Sequence, residues 1–153
     1  MVFAFPVAML VVEKNVLVPH TAEQMFALVD DVAHYPRFLP WCGKAEVHER
    51  VGNQLIASLH IDYLKIRQHF TTRNVNVDGE TISMELVEGP FEHLQGRWHF
   101  HPLGNIGCKI EFRLTYRFSS HLLEKLIGPV FGHISGSLVD AFIREADRIY
   151  GDD

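Results

Sequence analysis

Hydrophobic and polar positions alternate along most of the chain and change period near its end. Cys108, Ile110, Phe112, Leu114, Tyr116 and Phe118 fall on one side of an extended segment, and Lys109, Glu111, Arg113, Thr115 and Arg117 on the other. A period of two with one dry and one wet face predicts an antiparallel strand over Cys108–Phe118. Less regular runs predict strands over Val11–Val18, Ala45–Val51, Gln54–Lys65, Ile66–Val77, Thr81–Val87 and Leu94–His101. Gly52-Asn53 and Asp78-Gly79 mark hairpins, Glu88-Gly89-Pro90 interrupts the chain, and Pro102 ends the sixth strand.

Two segments carry a helical period instead. Thr21 followed by Gln24 is a capping-box pattern, so a helix is expected over Ala22–Val32 with Met25, Phe26, Leu28 and Val29 on its apolar side. Tyr35-Pro-Arg-Phe-Leu-Pro-Trp41 reads as a proline-punctuated connector with room for one helical turn. From Ser119 onward, Leu122, Leu123, Leu126, Ile127, Val130, Phe131, Ile134, Leu138, Phe142, Ile143 and Ile149 recur at helical spacing. About thirty residues of helix extend roughly 45 Å. A sheet with one dry face and one long amphipathic helix must bury those surfaces on each other. The expected fold is α+β, a helix grip in which a curved antiparallel sheet wraps around a long C-terminal helix.

That helix breaks the rules of helix composition. Gly128, Gly132 and Gly136 share a face, and Pro129 lies among them. Each glycine costs about 1 kcal/mol in a helix interior and a proline about 3. Close packing with a kink at Pro129 is one reading. The other is a glycine face that leaves volume for an apolar ligand, with Gly128, Pro129, Gly132 and Gly136 as a gate. The sheet's inward set, Phe70, Met84, Leu86, Trp98, Phe100, Phe112 and Leu114, is large and apolar. With Phe26, Phe91, Tyr116, Val130, Phe131, Ile134 and Leu138 it either fills the core or lines an elongated apolar site. Tyr35, Phe38 and Trp41 would frame its entrance, and Thr72, Asn74 and Tyr116 would orient a polar head group or pair with backbone.

Composition narrows the classes. The 153 residues are 47% hydrophobic and 22% charged, which excludes intrinsic disorder, and this length suits one domain. A net charge of -5 argues against nucleic-acid binding through overall charge, so no DNA partner is expected. Cys42 and Cys108 form no metal or redox motif and suit a reducing compartment, with a single bridge between them as the alternative. The apolar start, Met1–Val12, is shorter than the roughly 20 residues of a membrane span and lacks a basic leader. Residues 1–8 are expected to be an upstream extension, with Met9 as the start and 9–150 as a single cytoplasmic domain.

Catalytic chemistry is hard to find. No nucleophile elbow, phosphate loop, dinucleotide fingerprint or zinc-protease motif occurs. His99 and His101 share a strand face, but no third ligand follows at suggestive spacing, so no metal site is expected. Asp30 and Asp31 diverge on a helix end, and Cys42 sits among packing residues. Lys109, Arg113 and Arg117, with Arg67 and Arg73, form an outer basic row that is either a solvated face or a docking patch for anionic lipid or ribosomal RNA.

Several segments together resemble one family. Leu17-Val-Pro-His-Thr-Ala-Glu-Gln-Met-Phe-Ala-Leu-Val-Asp30 and Tyr35-Pro-Arg-Phe-Leu-Pro-Trp-Cys42 are followed in order by Phe70-Thr-Thr-Arg-Asn74 and Met84-Glu-Leu-Val-Glu-Gly-Pro-Phe91. Leu94-Gln-Gly-Arg-Trp-His-Phe100 and Cys108-Lys-Ile-Glu111 then complete the series. These resemble the coenzyme Q-binding branch of the START-like (polyketide cyclase/aromatase) superfamily, from about Met9 to Tyr150. The resemblance implies a helix-grip fold with a deep hydrophobic tunnel. It implies binding of a polyprenyl quinone such as ubiquinone, in support of respiration, with no catalytic step and no required cofactor. Transient contact with the inner face of the cell membrane would accompany that role. The branch also holds bacterial ribosome-association toxins, so the alternative is a toxin that binds the large ribosomal subunit and blocks subunit joining. An aromatase/cyclase enzyme shares the fold but needs an acid–base group inside the pocket.

Overall fold

The computed structural model describes residues 5–151. Seven antiparallel strands form one sheet in the order β1-β7-β6-β5-β4-β3-β2. They are β1 (Leu10–Val18), β2 (Cys42–Val51), β3 (Gln54–Tyr63), β4 (Ile66–Val77), β5 (Thr81–Glu88), β6 (Phe91–Leu103) and β7 (Gly107–Phe118). Between β1 and β2 lie α1 (Ala22–Asp30) and a 3-10 turn over Val32–Arg37, and α2 (His121–Tyr150) closes the fold. The expected α+β helix grip is the observed architecture.

Local chemistry explains the boundaries. The capping box at α1 is complete: Gln24 N–H donates to Thr21 Oγ1 at 3.1 Å and Thr21 N–H donates to Gln24 Oε1 at 2.9 Å. The helix stops at Asp30 rather than Val32, and the chain tightens into the 3-10 turn that holds Tyr35. α2 starts on Ser120, whose Oγ accepts from Leu123 N–H at 3.1 Å. It runs unbroken through Pro129, which forgoes only the bond to the Lys125 carbonyl.

Two expected strand ends are corrected. Leu64 and Lys65 do not extend β3; they form the β3–β4 turn with φ of 49° and 67°, left-handed values taken here without glycine or asparagine. Pro102 does not end β6, which continues to Leu103 opposite Gly107. The pairing of β6 with β5 already ends at Thr81–His99, so the missing proline N–H deprives no partner strand.

The inner face of β7 is fully buried, as its alternation predicts. α2 lies across the same face with Ile127, Val130, Phe131, Ile134, Val139 and Phe142 buried against it. By length and hydropathy α2 is also the one helix among the described residues able to cross a membrane; here its inner residues are buried against the sheet, while Leu122 and Leu126 are exposed. Of the N-terminal segment expected to lie outside the fold, residues 1–4 are outside the described residues. Val7 is half-buried against the core, and the Phe5 carbonyl accepts a bond from His121 Nε2.

Candidate ligand cavity

Between α2 and the inner face of the sheet lies an apolar cavity of about 80 Å³. Of the residues expected at a ligand site, Trp41, Phe70, Met84, Trp98, Phe112, Leu114, Phe131, Ile134 and Leu138 line it. The 3-10 turn contributes Val32 and Tyr35, β3 contributes Ala57 and Leu59, β6 contributes Leu94 and Gly96, and α2 adds Ser135 and Phe142. Ala57, Leu59, Ser135 and Phe142 are legible in the pattern. Phe131, Ile134, Ser135, Leu138 and Phe142 follow a single helix face, and Ala57 and Leu59 follow the alternation of β3.

Seven expected residues sit elsewhere in the core or at its edge. Phe26 meets Phe100 edge-on at 6.1 Å beneath α1. Phe91 stacks on Phe118 at 5.1 Å and, with Tyr116, surrounds Phe131 at 4.8 Å in an aromatic cluster. Val130 is buried beside it, and Leu86 is half-buried at the edge of the core. Phe38 packs on Phe142 at 5.1 Å and backs the cavity wall from outside. Periodicity assigns a residue to a face but not to a depth, so it does not separate these from the true lining.

The glycine gate requires a correction. Gly132 and Gly136 are exposed, and a Cβ added to either would meet nothing within 4 Å. A Cβ on Gly128 would make only ordinary contacts, 3.9 Å from Glu124 and Phe118. At about 100° per residue, Gly132 and Gly136 lie roughly 100° and 140° around the helix from Phe131. The glycine stripe and Pro129 therefore border solvent, and large side chains fill the face toward the sheet.

Polar chemistry in the cavity is sparse. Thr72 Oγ1 donates to Asn74 Oδ1 at 2.9 Å on β4, and Asn74 is buried. Tyr35 is the one side chain of ordinary acid–base character in the lining, and its hydroxyl donates to the Val29 carbonyl. Burial first, then the negative charge of Asp30, pushes its pKa far above the usual phenol value. The wall is braced from behind by Glu145 of α2, whose carboxylate accepts from His34 at 2.8 Å and from Arg148 at 2.6 and 3.1 Å. A second tie joins His20 to Asp147 at 2.6 Å.

The outer basic row is not a field of free positive charge. Arg113 pairs with Glu13, Lys109 with Glu111 at 3.3 Å, Arg117 with Glu92 at 3.9 Å, Arg73 with Glu85 at 3.3 Å and Arg67 with Asp62 at 3.7 Å. An open depression of about 370 Å³ on this face takes Arg73, Glu85, Arg97 and Arg113 at its wall, together with Val75 and Met84.

The model of the family described as polyketide cyclase / dehydrase and lipid transport matches residues 18–143. The chain belongs to this family. A ribosome association toxin RatA of Vibrio cholerae is 43% identical over 141 residues, covering 92% of this chain and 98% of the relative. The mitochondrial coenzyme Q-binding protein COQ10 of Drosophila melanogaster is 28% identical over 142 residues, covering 90% of this chain and 59% of the relative. In structure, the Zhui aromatase/cyclase of Streptomyces sp. R1128 matches with a TM-score of 0.81 at 20% identity, covering 92% of this chain and 95% of that one. The last likeness is one of fold. Within the polyketide cyclase and lipid transport family, this chain places its cavity between the long helix and the sheet, with a wall of aromatic and aliphatic groups.

Proposed function

We propose that the protein binds an apolar, ring-bearing lipid of the polyprenyl quinone class, such as ubiquinone, in this cavity and performs no chemistry on it. The observation that carries the reading is the lining itself: apolar on nearly every side, with its single phenol tied to a backbone carbonyl. Acid–base catalysis needs a group poised near the working pH, and Tyr35 is far from it. The Thr72–Asn74 pair offers the quinone head a hydrogen-bond partner, since the Asn74 amide nitrogen carries two donors. The similarity to a coenzyme Q-binding protein supports the same ligand class.

Size imposes a condition. A cavity of roughly 150 Å³ accepts benzene, and the 80 Å³ present cannot hold a substituted quinone ring without rearrangement. Binding therefore requires the closed state to open. Leu59, Met84 and Leu138 are the half-buried apolar residues of the lining, with freedom to move first. Exchange of such a ligand would take place at the inner face of the cell membrane, with the protein otherwise cytoplasmic.

The test uses a built-in probe. The chain has two tryptophans, Trp41 and Trp98, and both line the cavity. Titration with a short-tailed ubiquinone should quench intrinsic fluorescence saturably, and organic extraction of native protein should release a quinone detectable by mass spectrometry. Absence of both would end the reading.

A second reading is ribosome association, carried by 43% identity to a ribosome association toxin over nearly the full length of both chains. It is tested by sedimenting ribosomal subunits with and without the purified protein. An unaltered proportion of joined ribosomes would reject it.

A further inference from the structure

We infer that His99, His101 and Glu111 form a site for a divalent transition-metal ion of the zinc type on the outer face of the sheet, away from the ligand cavity. The alternation of β6 turns Trp98 and Phe100 into the core and sends His99 and His101 outward together, with ring centroids 3.6 Å apart. The strand register then places Glu111 of β7 directly opposite His99. Spacing along the sequence hides this third ligand, because it arrives from the neighbouring strand. One ligand atom from each of the three residues lies within 4.8 Å of the other two.

The site has an unused donor. His101 Nε2 is shielded from solvent and lacks a properly aligned hydrogen-bond partner among the described residues, although Glu111 Oε1 is 3.3 Å away. An imidazole lone pair beside a carboxylate is what a borderline cation requires. Two neutral imidazoles and one carboxylate give a set of charge −1, with a fourth position left for water.

Two features oppose binding and set its strength. Lys109 holds Glu111 at 3.3 Å and Arg97 lies close to His99, so a metal must displace one cation and tolerate another. Lys109 is 43% exposed and can swing into water. Tetrahedral zinc, with bonds of about 2.0–2.1 Å, needs ligand atoms roughly 3.4 Å apart, so the three side chains must close in slightly. All three are half-buried rather than packed, which leaves them that freedom.

The experiment uses the full chain, stripped with chelator and titrated with zinc chloride alone. One equivalent should bind and raise the melting temperature by mass action, and cobalt(II) should give the visible absorption of a four-coordinate ion. His101→Ala and Glu111→Gln should each weaken zinc binding by about tenfold or more, while His69→Ala on β4 should leave it unchanged. Metal-free melting of each variant confirms folding, and either variant alone suffices for the comparison. Absence of stoichiometric binding, or binding indifferent to both substitutions, overturns the site.

Discussion

Replacing Ala57 by leucine tests the cavity most directly. Ala57 is 3% exposed on β3, faces the cavity and adds three carbons when changed to leucine. Burying three methylene-sized groups contributes up to about 2.4 kcal/mol if they fit. Overpacking costs about 1–3 kcal/mol, and the empty 80 Å³ beside the residue reduces that strain. The two effects nearly cancel, so the melting temperature should move by only a few degrees, at about 2–4 °C per kcal/mol for a chain of this size. Ligand binding should not survive, because the leucine occupies the space from which a ring must start. The assay is quinone-induced quenching of Trp41 and Trp98, with a loss of about tenfold or more expected, equivalent to about 1.4 kcal/mol. Gly132→Leu is the matched control. It places the same side chain on the solvent side of α2, where there is open space, and should leave quenching intact. If Ala57→Leu binds quinone normally, or if Gly132→Leu abolishes binding, the ligand lies elsewhere and the reasoning from this cavity is refuted.

Other consequences follow from the same geometry. The bonds from Arg148, then His34, hold the Glu145 carboxyl below its ordinary pKa of 4.5. Its contribution to stability is therefore complete above about pH 4.5 and is lost as the pH falls through the lower folded value. Glu145→Gln should flatten the acid limb of a stability-against-pH curve measured by urea unfolding; an identical acid limb would count against the clamp. Cys42 and Cys108 are buried, and burial pushes both thiols up to about 11. Neither should react with a thiol reagent at neutral pH until the protein is unfolded, as mass spectrometry of labelled protein will show. Gly107→Ala would put a Cβ 2.5 Å from the Val18 carbonyl oxygen at the end of β1. It should lower stability by about 1–3 kcal/mol, and an unchanged melting temperature would contradict the close approach.

Where one interaction dominates, the sequence was a sufficient guide. The strict alternation of Cys108–Phe118 could only be a half-buried strand, and Thr21 with Gln24 gave the start of α1. The β3–β4 turn was invisible because Leu64 and Lys65 adopt left-handed angles without the residues that usually announce them. The cavity was legible in kind but not in extent. Phe70 and Phe91 read alike in sequence, yet Phe70 borders the empty space and Phe91 is held away by Phe118. Depth depends on how the sheet and α2 meet, and no single strand encodes that. The glycine stripe misled for a simpler reason. A spacing of four places residues on a common face but leaves open which face, and the large residues of α2 had already claimed the one toward the sheet.

The two proposed activities make different demands on this molecule. Quinone binding needs only the interior and an opening of α2 against the 3-10 turn, which the Glu145 and His20 ties resist. Ribosome association needs a surface, and the outer basic row is a poor one for RNA. Its cations each lie within 4 Å of a carboxylate, well inside the Debye length of about 8 Å at physiological salt. Fields that cancel over such distances attract few phosphates, and the overall charge of -5 adds no attraction. A ribosome contact made by this chain would then depend on shape and apolar contact more than on counterion release. The sedimentation effect should accordingly change little between about 50 and 200 mM salt, where a protein neutralising six to ten phosphates loses affinity by roughly three to five orders of magnitude. A steep salt dependence would show that the paired cations are released to the RNA on binding, and would return the outer face to the centre of the ribosome reading.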